Sequence, residues 1–195
     1  VELSIRHSGG ETEDVKVERD TIVIPTVFTR DVKDSAGNVI PDLAYIELQQ
    51  FTEETVGDLR EELKSIDEKG YKGLILDLRR NPGGALDATV DVADMFLNDG
   101  LVLTQVDRDG TRHEYKARSG GEAVNLPVAI LVGPGSASGS EVLSGALRDH
   151  GRAKLRKPHD PSDARKPQRI WTRRPIRCFL RPRLPGFLRC RRFFL

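Results

Sequence analysis

An α/β layered core built on a parallel sheet is predicted by three observations. Two short, nearly continuous apolar runs, GLILDL (73–78) and LPVAILV (126–132), have the composition of strands covered on both faces. Each run ends at a glycine-rich corner, NPGG (81–84) and GPGSASGS (133–140). Each corner opens a segment of helical periodicity, so strand, corner and helix recur, and right-handed crossovers stacking helices on a sheet are the simplest packing.

The elements follow in order. VELSIR and EDVKVE alternate apolar and polar residues around Ser8-Gly9-Gly10, a hairpin pattern that Pro25 closes. AYIELQQF reads as a strand. Thr52 is placed to N-cap a helix whose apolar positions Val56, Leu59, Leu63 and Ile66 repeat at helical spacing up to a stop at Gly70. After NPGG, the segment 85–99 puts Leu86, Val90, Ala93 and Leu97 on one helical face and ends at Gly100. LVLTQVDRDGTRHEYKA splits at Asp109-Gly110 into two paired strands. SGSEVLSGALRDH then reads as a helix with Val142, Leu143, Ala146 and Leu147 inward.

A chain of 195 residues is long enough for one substantial core. Its formal net charge of +1 hides a division: residues 1–153 hold 17 Lys and Arg against 28 Asp and Glu, whereas residues 154–195 hold 14 against 2. The second part also holds 6 of the 11 prolines, both cysteines and the only tryptophan, and no strand or helix period survives that proline density. Read by itself, it has the charge of a tail that contacts nucleic acid or anionic membrane, but that is the lesser reading and no nucleic-acid partner is expected. Cys178 and Cys190 have no histidine at ligand spacing, which argues against zinc. No export signal and no 18-residue apolar run is present, and the opening in mid-pattern reads as a fragment whose true start is missing.

The chemistry points to the two corners, which lie at the carboxyl ends of strands, where sites form in α/β sheets. A serine in the first turn of a helix sits among free N–H groups that stabilise an oxyanion, and Ser138 holds that place. Ala137 and Gly139 leave room for a substrate carbonyl, and Gly83 and Gly84 stand ready to add a second amide. The competing reading is a capping box, Ser138 to Glu141, in which the serine only satisfies a helix amide. Local sequence favours the cap.

Taken together, AYIELQQF, the helix ending at Gly70, GLILDLRRNPGG, LPVAILVGPGSASGSE and ALRDHGRA resemble, in order, the core blocks of the carboxyl-terminal processing (tail-specific) proteases of peptidase family S41, over roughly residues 43–153. The resemblance implies a ClpP/crotonase-like α/β core (26–153) preceded by the last strands of a PDZ domain (1–25). It implies a serine endopeptidase with a Ser–Lys dyad that cleaves proteins near their carboxyl termini, outside the cytoplasm, on protein or peptide substrates, with no cofactor and no metal. The nucleophile falls on Ser138, the oxyanion donors on Gly139 and the pair Gly83/Gly84, and an acidic supporting position on Asp149. Asp149 and His150 lie about 16 and 18 Å from Ser138 along one helix, so neither reaches it. His7, His113 and His159 lie in other segments, and no Ser-His-Asp order can be built from them.

The base the family uses is a lysine in a G-K-G turn 25 residues after the nucleophile. Here that position is Asp163, no G-K-G occurs, and Lys157 and Lys166 stand among Pro, Arg and Asp. The pattern holds through Ala153 and then fails where the composition flips. A single frameshift accounts for both, making 154–195 a disordered or out-of-frame tail, removing the strand after Ala153 and leaving the chain without its base. The alternative is a non-catalytic peptide-binding remnant whose basic tail binds an acidic partner.

Overall fold

The computed structural model of the chain describes residues 1–18, 20, 24–156 and 178–179. The expectations about the remainder of the tail, including His159, Lys157, Asp163, Lys166 and Cys190, lie outside the described residues.

The chain opens with a hairpin of β1 (Glu2–Arg6) and β2 (Thr12–Lys16), with Gly10 at positive φ in the turn. All five residues of β1 are exposed. The core is a five-stranded sheet in the order β3 (Val27–Thr29), β4 (Leu43–Leu48), β5 (Gly73–Asp77), β8 (Val128–Leu131) and β9 (Ala153–Arg156). Strands β4, β5, β8 and β9 are parallel, and β3 runs antiparallel on β4. Helix α1 (Glu53–Glu68) joins β4 to β5, α2 (Leu86–Asp94) follows β5, and α3 (Gly139–Asp149) joins β8 to β9. Each crossover steps the same way across the sheet, and a constant right hand then puts every helix on one face. Accordingly α2 packs against α1 on one side and α3 on the other. A second sheet comprises β6 (Leu101–Val106) and β7 (Arg112–Lys116), paired antiparallel, with β10 (Cys178–Phe179) parallel to β6.

The parallel strands are apolar on the helix side because that is where the core sits. In register across the sheet, Ala44, Leu74, Val128 and Ala153 form one row, and Ile46, Leu76 and Ile130 the next, all buried against Leu59, Leu63, Val92, Leu143 and Leu147. Burial on both faces, as the apolar runs suggested, holds only in part: Ile75, Ala129 and Leu131 on the opposite face are half-buried. The leucines of GLILDL carry the core, and the intervening residues face a surface lined by Tyr45, Glu47 and Asp77.

Four sequence expectations need correction. Helix α2 stops at Asp94 rather than continuing to Asp99, so Leu97 is buried beyond the helix. Its buried stripe is Ala88, Thr89, Val92 and Ala93, rotated from the expected one because small residues let it approach α3 closely. In α1 the Thr52 cap and the Gly70 stop are present, but Thr55 replaces Val56 on the buried face, held by Thr26 Oγ1 at 2.6 Å. The strand expected to be lost after Ala153 is present: β9 alternates Ala153 and Leu155 inward with exposed Lys154 and Arg156, a pattern that suits an edge strand.

Arg152 fixes the entry to β9. Its guanidinium donates to the carbonyls of Phe96 at 2.9 Å, Ala123 at 2.8 Å and Leu126 at 3.1 Å, and burial lowers its pKa. One side chain thus ties the segment after α2 and the loop before β8 to the sheet.

Candidate active site

The site is assembled where β4, β5 and β8 end. Asp77 closes β5 nearly buried, and its carboxylate accepts from the Arg79 main-chain N–H at 2.9 Å and from the Arg79 guanidinium. Tyr45 donates its hydroxyl to the same carboxylate, and Arg30 lies 4.0 Å over the Tyr45 ring. Burial pushes the Asp77 carboxyl up, but the bonds from Arg79 and Tyr45 outweigh it and hold the group below the ordinary carboxylate range. Burial, reinforced by Asp77, raises Tyr45. The arrangement fixes the direction of the chain as it enters NPGG.

The two glycine corners meet. Gly83 has φ +109, and a Cβ there would lie 2.7 Å from Ser138 Cβ, 2.9 Å from the Gly139 nitrogen and 3.0 Å from the Ala137 carbonyl oxygen. Only a glycine fits that contact. Gly84 is pinned from the other side by a parallel bridge to Phe51, in which Phe51 donates to the Gly83 carbonyl at 3.1 Å and accepts from Ala85 at 2.9 Å. A bridge of this register turns the Gly84 N–H away from Phe51. Gly139 rests against Thr89 and Phe51.

The three serines of SASGS do different things. Ser136 Oγ donates to the Leu78 carbonyl at 2.7 Å and accepts from Gly133, while Ser140, fully buried, donates to the Asn81 carbonyl at 2.8 Å. Both are fasteners between the corners. Ser138 is the only non-glycine residue at positive φ among the described residues, at φ 52 and ψ −114. The Glu141 arm of the capping box is there, its carboxylate accepting from the Ser138 N–H at 3.2 Å, while the Glu141 N–H donates to the Ser138 main-chain carbonyl at 2.9 Å. A cap alone needs no such backbone. N-cap residues favour the extended region, as Thr52 shows at φ −125 and ψ 173. Strain of this kind costs on the order of 1–3 kcal/mol and persists where the surroundings impose it, at functional sites above all. A serine with strained backbone on a sharp strand-to-helix turn is the arrangement a nucleophile elbow requires.

The amides sort out as well. The Gly83 N–H is taken by Asn81 Oδ1 at 2.8 Å. The N–H groups of Gly84 and Gly139 donate to no acceptor among the described residues. Sequence reasoning had treated the glycines as a pair and had missed Asn81, which makes the distinction.

No histidine among the described residues serves Ser138. His7 pairs with Glu13, His113 with Asp107, and His150 with the Leu101 carbonyl. Asp149 sits at the far end of α3 in an ion pair with Arg148 at 2.6 Å, so the structure keeps it apart from Ser138. No group of three or more His, Cys, Asp and Glu side chains among the described residues is placed to hold a metal ion, and no helix there is long and apolar enough to cross a membrane. A cavity of about 300 Å³ lined by Ile24, Pro25, Thr26, Gln49, Gln50 and Arg80 adjoins the corner, and Arg80 is anchored there by Glu47 at 2.7 Å.

Comparison with known proteins gives the family. The profile of Peptidase family S41 matches residues 42–156. The chain is 40% identical over 147 residues to a carboxy-terminal-processing protease of Bartonella bacilliformis, covering 73% of this chain and 32% of that one. It is 31% identical over 156 residues to the carboxy-terminal processing protease CtpA of Bacillus subtilis, covering 80% and 32%. The solved structure of a photosystem II D1 C-terminal processing protease superposes with a TM-score of 0.61 at 29% identity, covering 77% of this chain and 41% of that one. The chain thus spans about a third of the curated relatives it matches. With more than half its length matched by the family profile and the corners packed as described, the chain belongs to peptidase family S41.

Proposed function

We propose that this chain carries the nucleophile and oxyanion part of a serine endopeptidase that cleaves proteins near their carboxyl termini, and that in the sequence as written it turns over little or no substrate. The observation that carries the reading is Ser138 at φ 52, packed on Gly83 at the head of α3. Ser138 Oγ attacks the scissile carbonyl and its proton passes to a base. The carbonyl oxygen, now negative, is met by the amides of Gly139 and, from the Gly83/Gly84 pair, of Gly84, because the Gly83 N–H is held by Asn81. Collapse expels the amine, and water hydrolyses the resulting acyl-enzyme. The base of the family is a lysine, whose side chain must be desolvated so that it stands as the neutral amine and can accept a proton. Position 163 holds aspartate instead.

The exposed hairpin β1–β2, with Leu3 and Ile5 exposed, fits the last strands of a PDZ domain, and Asp149 supports the site from the far end of α3. By likeness to its relatives the protein works outside the cytoplasm. A second reading, favoured by the missing lysine and the 14 basic residues of 154–195, is a non-catalytic peptide-binding remnant with a tail for an acidic partner.

One experiment separates them. The full chain is incubated with a protein bearing a flexible apolar carboxyl tail, alongside Ser138→Ala. No turnover by either, with weak binding independent of salt, is expected. Robust cleavage lost in Ser138→Ala would show that another group serves as base. Binding to nucleic acid or anionic vesicles that falls steeply with salt would favour the remnant.

A further inference from the structure

Asn81 is fully buried and makes more bonds across the site than any residue expected to act there. Its main-chain N–H donates to the Leu78 carbonyl at 3.1 Å, at the end of β5. The Asn81 carbonyl accepts from the Ala137 N–H at 3.2 Å and from Ser140 Oγ at 2.8 Å. The carboxamide accepts from the Gly83 N–H at 2.8 Å and donates to the Leu48 carbonyl at 3.0 Å, at the end of β4. Four segments are joined by one residue, and two of its partners flank Ser138.

We infer that Asn81 is the positioning residue of the site: its carbonyl clamps the chain on both sides of Ser138 and so holds the serine in its positive-φ backbone, while its carboxamide withdraws the Gly83 N–H and leaves Gly84 and Gly139 to face the oxyanion. The inference rests on the reading of Ser138 as nucleophile. The side chain has to be asparagine for a chemical reason. It must accept from one main-chain group and donate to another at neutral pH within a short reach. An ionised aspartate cannot donate to Leu48, serine is too short to reach both, and alanine does neither. Without the carboxamide the turn that carries the Asn81 carbonyl is no longer tied to Gly83 and Leu48, so the carbonyl clamp shifts and Ser138 relaxes towards an ordinary N-cap backbone; an oxygen displaced by about 1 Å is enough to cost on the order of a hundredfold in reactivity.

The test uses a peptide boronic acid, which gains affinity over the same peptide without boron only when a serine oxygen and the oxyanion amides are correctly set. The full chain is titrated with both ligands. The gain is expected in the wild type and absent in Ser138→Ala. Asn81→Ala, checked for a cooperative unfolding transition, is expected to lose at least about tenfold of that gain while binding the parent peptide as before. Asn81→Asp is expected to recover, relative to wild type at each pH, as the pH falls and its carboxyl protonates, because the neutral acid again offers one donor and one acceptor. Should Asn81→Ala fail to fold, Ser140→Ala removes a single bond to the Asn81 carbonyl and is expected to lose part of the gain. A full wild-type gain in the Asn81 or Ser140 variants, or equal loss for both ligands, overturns the positioning role. No gain in the wild type over Ser138→Ala removes the nucleophile reading, and the inference falls with it.

Discussion

Gly83→Ala tests whether the two corners press together as tightly as the geometry requires. Two terms enter. A non-glycine residue at φ +109 is strained by on the order of 1–2 kcal/mol. The added methyl also arrives 2.7 Å from Ser138 Cβ, 2.9 Å from the Gly139 nitrogen and 3.0 Å from the Ala137 carbonyl oxygen, mostly backbone that cannot swing aside. Overpacking of that kind costs a further ~1–3 kcal/mol. The sum is about 2–5 kcal/mol. Gly37 supplies the control, since it has φ +89 and nothing within 4 Å of its missing Cβ. Gly37→Ala therefore carries the backbone strain alone, about 1–2 kcal/mol. Urea unfolding of the three proteins, compared at equal slope, isolates the contact between corners. A Gly83→Ala midpoint no lower than that of Gly37→Ala would refute the packing from which the site was built.

Other expectations concern strain, anchoring and charge. Ser138→Gly is expected to be neutral or stabilising by up to about 1 kcal/mol, because glycine relieves the positive φ; if the serine were only a cap, the same change would destabilise by a few tenths. Thermal unfolding of Ser138→Gly and Ser138→Ala decides between them. Arg152→Met keeps the apolar stem but strands three carbonyls, and a loss of about 2–4 kcal/mol in urea unfolding is expected. Asp77 titrates below its ordinary value in the folded chain, so its ionised form contributes stability above about pH 4 that is lost as the pH falls through the folded value. Asp77→Asn is accordingly expected to cost about 1–3 kcal/mol at pH 7, moderated by the 39% exposure of Arg79, and progressively less below pH 4. A deficit that grows on acidification contradicts the pairing.

Much of the fold is written in local pattern. GLILDL and LPVAILV are strands because a parallel sheet needs apolar rows towards its helices, and Thr52 and Gly70 bound α1 because they meet the needs of helix ends. The exceptions are tertiary. Thr55 outranks Val56 at the α1 face because Thr26 reaches it from 29 residues away, a partner that no helical period reveals. Strand β9 is four residues long and its alternation in AKLR runs into the basic, proline-rich composition that follows, so local pattern marks it weakly. At the site, the corners and their glycines were legible, whereas the choice among Ser136, Ser138 and Ser140 rested on resemblance until the hydrogen bonds of the outer two and the backbone of the middle one were visible. Asn81 carried a signal in NPGG that turn chemistry alone absorbed. Its partners lie 33 and 59 residues away.

The central claim is that Ser138, and no other serine, is the reactive oxygen of this core. The direct measurement is ¹¹B NMR of the full chain with a saturating peptide boronic acid at pH 9, in the wild type and in Ser136→Ala, Ser138→Ala and Ser140→Ala. A tetrahedral boron resonance in the wild type and in Ser136→Ala, reduced at most in Ser140→Ala and abolished only in Ser138→Ala, is predicted. A tetrahedral adduct that survives Ser138→Ala, or none in the wild type, contradicts the account.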